Sequence, residues 1–219
     1  MYHKVGLASL LFLIIIVTVL AVFKGADDYL SQSRKNHLVE FEPLSNNEMV
    51  PDLLGAMEPL PLVWVPFNDH ETYGLYYSWL AFNAKGNPTL VEHYNHLSSV
   101  EFESQQMLKP LDSKVVIFRA NQMWREGGSF DDVLAQFKLA QRLGNFEKLT
   151  LMESLNFYLS NWPELTVADK KIAISYLLDH EKYAMKIWQF DDLLKKPIVG
   201  GRACSLLKFN GLTPYYCRK

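Results

Sequence analysis

The stretch Gly128-Ser-Phe-Asp-Asp-Val-Leu-Ala-Gln-Phe-Lys-Leu-Ala-Gln-Arg-Leu143 decides the fold. Its apolar residues recur at spacings of three and four, which is the period of one face of an α-helix. Gly127 precedes the stretch, Gly128 opens it and Gly144-Asn145 follows it. Residues of these types commonly stand at helix ends. The pattern predicts a helix from Ser129 to Leu143 that is entered through a tight turn.

The same helical period continues on both sides of this stretch, and short groups of glycine, asparagine and proline interrupt it. No run of residues shows the two-residue alternation of a strand convincingly. The sequence therefore predicts an all-α chain of helical hairpins. The predicted helices cover residues 70–84, 89–108, 113–124, 129–143, 146–161 and 167–194, with a break at Pro163.

The hairpin around Gly128 resembles a tetratricopeptide repeat over about one repeat length, roughly 34 residues. In the second helix of that repeat, a glycine is followed by an aromatic residue, a small residue, a second aromatic residue and an alanine. Gly128, Phe130, Phe137 and Ala140 match this order, whereas Val133 replaces the small residue. Because the neighbouring hairpins share only the architecture, the resemblance implies a degenerate repeat domain. The alternative is an ordinary α-bundle whose hairpin has converged on the pattern.

The N-terminal stretch from Val5 to Phe23 carries no charged residue. A bilayer-spanning helix needs about 20 apolar residues, so the stretch predicts a single N-terminal transmembrane helix that anchors the chain. A cleaved secretory signal is the competing interpretation, but Phe23-Lys24-Gly25-Ala26-Asp27-Asp28 is a poor cleavage site.

The two cysteines, Cys204 and Cys217, both lie near the C-terminus. A disulfide between them would close the tail into a loop, and such bonds persist in oxidising compartments. The positive charges before and after the apolar stretch are similar in number, so they do not decide on which side of the membrane the domain lies. The cysteines decide in favour of a domain in the periplasm, attached to a bacterial inner membrane. Two unrelated buried thiols are the alternative.

This reasoning divides the chain into four parts. Residues 1–24 form the anchor and 25–67 a proline-containing stalk; residues 68–198 form the helical domain, and 199–219 a tail that the disulfide closes. Lysine and arginine number 22 against 24 acidic residues, so the chain lacks the basic surplus of a nucleic-acid-binding protein.

The sequence contains no catalytic constellation that spacing alone reveals. His93 and His96 stand three residues apart on one predicted helix, but no further metal-ligand pattern accompanies them. No phosphate-binding glycine loop or nucleophile motif appears, so we predict neither a cofactor nor a metal. An enzyme would have to bring together dispersed carboxylates in the fold, with Glu71, Glu92, Glu101 and Asp112 as the candidates.

The layout of an anchor, a stalk and a degenerate repeat domain also resembles the VpsP-like accessory proteins of bacterial exopolysaccharide clusters. The residues that carry this resemblance run from Pro110-Leu-Asp to Arg142-Leu143. It implies a non-enzymatic scaffold that assists the assembly or export of a polysaccharide through protein contacts.

The binding surface of such a scaffold is predicted around three aromatic residues of the hairpin, Trp124, Phe130 and Phe137. Two alternatives remain open. The first alternative is a glycan-binding or glycan-cleaving protein of the cell envelope. The second is a scaffold of a pilus, secretion or division complex.

Overall fold

The computed structural model describes residues 2–40 and 69–218. Within these ranges the chain is helical and contains no strand, so the all-α prediction is confirmed. Contacts divide the chain into two compact units, Met1–Glu101 and Phe102–Lys219. Of the predicted stalk, residues 25–40 belong to the first helix and residues 41–67 lie outside the described part.

The first unit contains α1 (Tyr2–Glu40), α2 (His70–Asn83) and most of α3 (Pro88–Leu108). Asp69 caps α2, since its side chain accepts a hydrogen bond from the amide of Thr72. Tyr76 and Leu80 form a small core with aromatic neighbours on α2 and α3. The hydroxyl of Ser98 on α3 donates to the carbonyl of Gly74 on α2 over 2.8 Å, which ties these two helices together.

The predicted membrane anchor is wrong. Across residues 2–40 and 69–218, none of the helices combines the length and the apolar character that crossing a bilayer requires. The exposed apolar side chains described on α1 run from Leu10 to Phe23, and Lys24 follows. The predicted single-pass location in an inner membrane is therefore also wrong.

The second unit is built on two consecutive helical hairpins. The first pairs α4 (Ser113–Arg125) with α5 (Phe130–Gly144), and the second pairs α6 (Lys148–Ser160) with α7 (Val167–Leu178). Side chains cap three of these helices, because Asp112, Ser129 and Thr166 each accept a hydrogen bond from a backbone amide of the first turn. The packed faces of all four helices form one core.

The turn between α4 and α5 requires both of its glycines. Gly127 has a φ of +76°, a backbone conformation that residues other than glycine rarely adopt. A Cβ atom on Gly128 would lie 2.9 Å from the carbonyl oxygen of Met123. Gly127 therefore supplies the left-handed step of this turn.

The helix predicted to run from residue 167 to residue 194 is wrong in its second half. The structure ends α7 at Leu178 and continues with 3-10 turns at His180–Tyr183 and Ile187–Phe190, followed by the short α8 (Asp191–Leu194). Tyr183 packs edge-on against Tyr176 with ring centroids 4.9 Å apart, and Ala184 has a φ of +54°. Both tyrosine rings are buried.

The C-terminal part, predicted as a disulfide-closed tail, is mainly helical. It consists of α9 (Pro197–Phe209) and a closing 3-10 turn, Tyr215–Cys217. The structure forms the predicted disulfide between Cys204 and Cys217, with Cα atoms 5.2 Å apart. Arg202 on α9 donates to the carbonyl of Ser160 over 2.9 Å and also to the carbonyl of Leu159, so α9 covers the end of α6.

Candidate functional site

The three aromatic residues predicted to form a binding surface converge on one buried ring, that of Phe157 on α6. The ring centroids of Trp124, Phe130 and Phe137 lie 5.2, 5.8 and 4.4 Å from it. Phe137 is fully buried, while Trp124 and Phe130 are half-buried. The structure thus places this group in the core between the two hairpins, where its contacts serve packing.

The four candidate carboxylates of a glycan-cleaving site take up separate structural roles. Glu101 contacts His70 over 2.6 Å, and Asp112 caps α4 by accepting from the amide of Lys114. Glu71 is buried in the first turn of α2, whereas Glu92 is exposed on α3. None of them lines the groove described next.

The predicted histidine pair lies on the outer side of α3, where His93 and His96 are both exposed. Within the described residues, no group of three or more histidine, cysteine, aspartate or glutamate side chains is placed to hold a metal ion.

The second unit contains a groove of about 770 Å³ between α5 and α7. The face of α5 toward it is polar, with residues at positions 138, 141, 142 and 145, which is the spacing of one helical stripe. The 3-10 turn after α7 closes one end through Tyr183. The lining consists of Lys138, Gln141, Arg142, Asn145, Asp169, Lys171, Ile172, Ser175, Tyr176 and Tyr183.

Two side-chain contacts across the groove show that α5 and α7 run parallel. The ammonium of Lys138 lies 2.8 Å from a carboxylate oxygen of Asp169, and the hydroxyl of Tyr176 donates to the amide oxygen of Asn145 over 2.8 Å. Each contact joins residues 31 positions apart. Between α4 and α6 the corresponding contact joins Ser113 to Glu147, 34 positions apart. The two hairpins are therefore stacked in the same orientation, and the groove lies between their second helices.

Asp169 is the carboxylate of the groove, and the fold holds it in the ionised form. Burial by itself raises the pKa of Asp169, but hydrogen bonds from Lys138 and Thr166 outweigh it and lower the pKa below the ordinary value. The hydroxyl of Thr166 donates to Asp169 over 2.7 Å and accepts from its amide, so the pair also begins α7. The carboxylate of Asp169 is therefore already bonded to Lys138 and Thr166 within the fold.

The tyrosines behind the groove stay protonated at neutral pH. Burial, with smaller contributions from Tyr158 and Tyr183, raises the pKa of Tyr176 well above the ordinary value. Burial likewise raises the pKa of Tyr158 to about 12, although the hydrogen bond with Gln141 acts against it. Their hydroxyls therefore act as donors in fixed hydrogen bonds and bring no negative charge.

The lining of the groove carries a net positive charge, because the Lys138–Asp169 pair is neutral and two further cations are present. Arg142 and Lys171 also line the groove, and both are exposed. No described side chain forms an ion pair with either of them. The groove thus presents two exposed cations beside a lining that internal hydrogen bonds hold in place.

Replacing Asp169 by asparagine is expected to lower the free energy of unfolding by about 1–3 kcal/mol at pH 7, because Lys138 loses its buried anionic partner. A carboxyl whose pKa is lower in the folded than in the unfolded chain stabilises the fold above its unfolded pKa. That contribution is lost as the pH falls through the folded pKa. The wild type should therefore lose more stability than Asp169→Asn between about pH 5 and about pH 3.

Urea unfolding over this pH range checks the prediction, with Asp131→Asn as the matched control because Asp131 is exposed in the first turn of α5. Equal acid sensitivity of the wild type and Asp169→Asn would contradict it.

Sequence reasoning missed this groove, although one signal for it is present. The polar stripe of α5 follows helical spacing, but such a stripe is also what a solvated helix face shows. The partner residues on α7 stand 31 positions away, so only the packing of the hairpins brings the two faces together.

The tetratricopeptide-like and VpsP-like resemblances stay predictions, because they rest on a few residues and on the layout of the chain. Comparison of the chain with protein-family models, with curated proteins and with solved structures gave no match.

Proposed function

We propose that this chain is a non-enzymatic binding protein that holds protein partners through the α5–α7 groove. The observation that carries the proposal is the pair of exposed cations, Arg142 and Lys171, set in a lining already ordered by internal hydrogen bonds. A preordered surface loses little conformational entropy when a ligand binds, so more of the contact energy appears as affinity.

The chemistry of the lining favours binding over hydrolysis. A glycan-cleaving site uses a pair of carboxyl groups, one of which donates a proton. Asp169 is the one carboxylate among the described lining residues, and Lys138 and Thr166 hold it ionised. We therefore rank a binding role above a glycan-cleaving role.

The cellular context of the proposal comes from the VpsP-like resemblance. In that context the partners are components of a polysaccharide assembly or export machine, such as a polymerase or a flippase. Components of a pilus, secretion or division complex are the alternative partners for the same binding role.

Site-specific photocrosslinking in cells tests the proposal. A photoreactive aliphatic amino acid at Ile172, in the groove, is expected to capture a protein that the same group at Leu111 does not. Leu111 is the matched control because it is an exposed aliphatic residue outside the groove. Introducing Arg142→Glu and Lys171→Glu together should remove the Ile172 adduct while the full-length chain keeps its thermal unfolding temperature.

The identity of the captured protein distinguishes a role in polysaccharide assembly from a role in a pilus, secretion or division complex. Polysaccharide-assembly components support the first context, and pilus, secretion or division proteins support the second. Equal capture at Ile172 and Leu111, or an adduct that survives the charge reversals, would contradict a binding role for this groove.

A further inference from the structure

We propose that the ligand of the α5–α7 groove is an extended acidic peptide segment whose carboxylates bind Arg142 and Lys171. This inference rests on the proposed function, because it names the chemistry of the partner at the same groove. It follows from the length of the groove, from its charge and from the burial of its aromatic rings.

The length of the groove suits a short extended segment. Its polar stripe on α5 runs from Lys138 to Asn145, and seven steps of 1.5 Å give about 10 Å. An extended chain rises about 3.3 Å per residue, so about three residues lie along the stripe. The volume of about 770 Å³ is larger than a single small anion needs.

The charge of the groove selects an acidic ligand. Lys138 and Asp169 neutralise each other, which leaves Arg142 and Lys171 unpaired in the lining. Asp179 lies past Ser175, outside the lining, and accepts from the Ser175 hydroxyl over 3.2 Å. An arginine can bind a carboxylate with two parallel hydrogen bonds, and these strengthen where water is partly excluded.

The side chain of Asn145 adds a contact suited to a peptide backbone. Its amide oxygen accepts from Tyr176, while its NH₂ group has no described partner. That group stands one helical turn from Arg142 on the same stripe and can donate to a main-chain carbonyl of the ligand.

The aromatic rings of the groove argue against a sugar ligand. Sugar sites commonly present the face of an aromatic ring to the pyranose. Here Tyr176 is 1% exposed and Tyr183 is 7% exposed. Because both rings are buried, neither presents an open face to a sugar. An acidic peptide therefore fits the lining better than an acidic glycan does.

Fluorescence anisotropy with two labelled hexapeptides, hexaglutamate and hexaglutamine, tests the inference on the full-length chain. Hexaglutamate is expected to bind at least about tenfold more tightly than hexaglutamine at low salt, and to weaken as salt increases. The double variant Arg142→Gln with Lys171→Gln is expected to lose at least about tenfold in affinity for hexaglutamate.

The matched control is Lys109→Gln with Arg218→Gln, which makes the same change in net charge at exposed positions outside the groove. It should retain hexaglutamate affinity within about twofold. Thermal unfolding of each variant shows that the fold is retained.

Four results would overturn the inference. They are no binding of hexaglutamate, equal binding of both peptides, equal weakening in the groove and control variants, and tighter binding of a hexagalacturonate that depends on Arg142 and Lys171. The first three can occur while the crosslink at Ile172 persists, so failure of the acidic-peptide inference is distinguishable from failure of the binding role.

Discussion

Replacing Phe157 by alanine is expected to lower the free energy of unfolding by about 3–5 kcal/mol, because it removes the ring around which the two hairpins pack. Phe157 is 1% exposed, and the rings of Trp124, Phe130 and Phe137 all lie within 6 Å of it. Alanine would leave a cavity that these rigid aromatic neighbours fill only in part. Urea unfolding followed by far-ultraviolet circular dichroism measures the loss.

The matched control for this substitution is Phe209→Ala, because Phe209 ends α9 and is 90% exposed. The same atoms are removed there without creating a cavity, so the expected change is within about 0.5 kcal/mol. A loss below about 1 kcal/mol for Phe157→Ala would contradict the central position that the structure gives this ring.

Reducing the disulfide between Cys204 and Cys217 is expected to lower the free energy of unfolding by about 3 kcal/mol. The bond joins residues 13 positions apart and closes the loop after α9. In the unfolded chain this closed loop restricts the accessible conformations, so the folded state gains relative stability while the bond is intact. Urea unfolding with and without reductant measures the difference.

The double variant Cys204→Ala with Cys217→Ala is the control for effects of the reductant elsewhere. It should unfold at the same urea concentration with and without reductant, and close to the reduced wild type. A wild type that is equally stable before and after reduction would show that the bridge does not constrain the unfolded chain.

Local sequence patterns predicted much of the second unit. The helix starts at Ser113 and Val167 agree with the structure, because aspartate and threonine side chains cap these helices. The turn before α5 was visible in Gly127-Gly128, since few other residues fit there. The disulfide was predictable because the chain has only two cysteines.

The errors arose where local pattern and packing disagree. Residues 179–194 continue the helical period of α7, yet the structure divides them into two 3-10 turns and the short α8, with Tyr183 and Phe190 in the core. The prediction of a membrane anchor relied on the uncharged stretch before Lys24, and the structure describes no helix that meets the requirement for a span. The three aromatic residues predicted to form a binding surface pack on Phe157, and their role in binding stays a prediction.

By itself, the sequence determined the all-α class, the main helix starts and the cysteine pair, because each depends on residues close together in the chain or on the presence of a single candidate pair. Only the tertiary structure decided the candidate site. Lys138 meets Asp169 and Asn145 meets Tyr176 because two hairpins stack in parallel with an offset of 31 residues. That offset depends on how the aromatic core around Phe157 packs, and no local pattern encodes it.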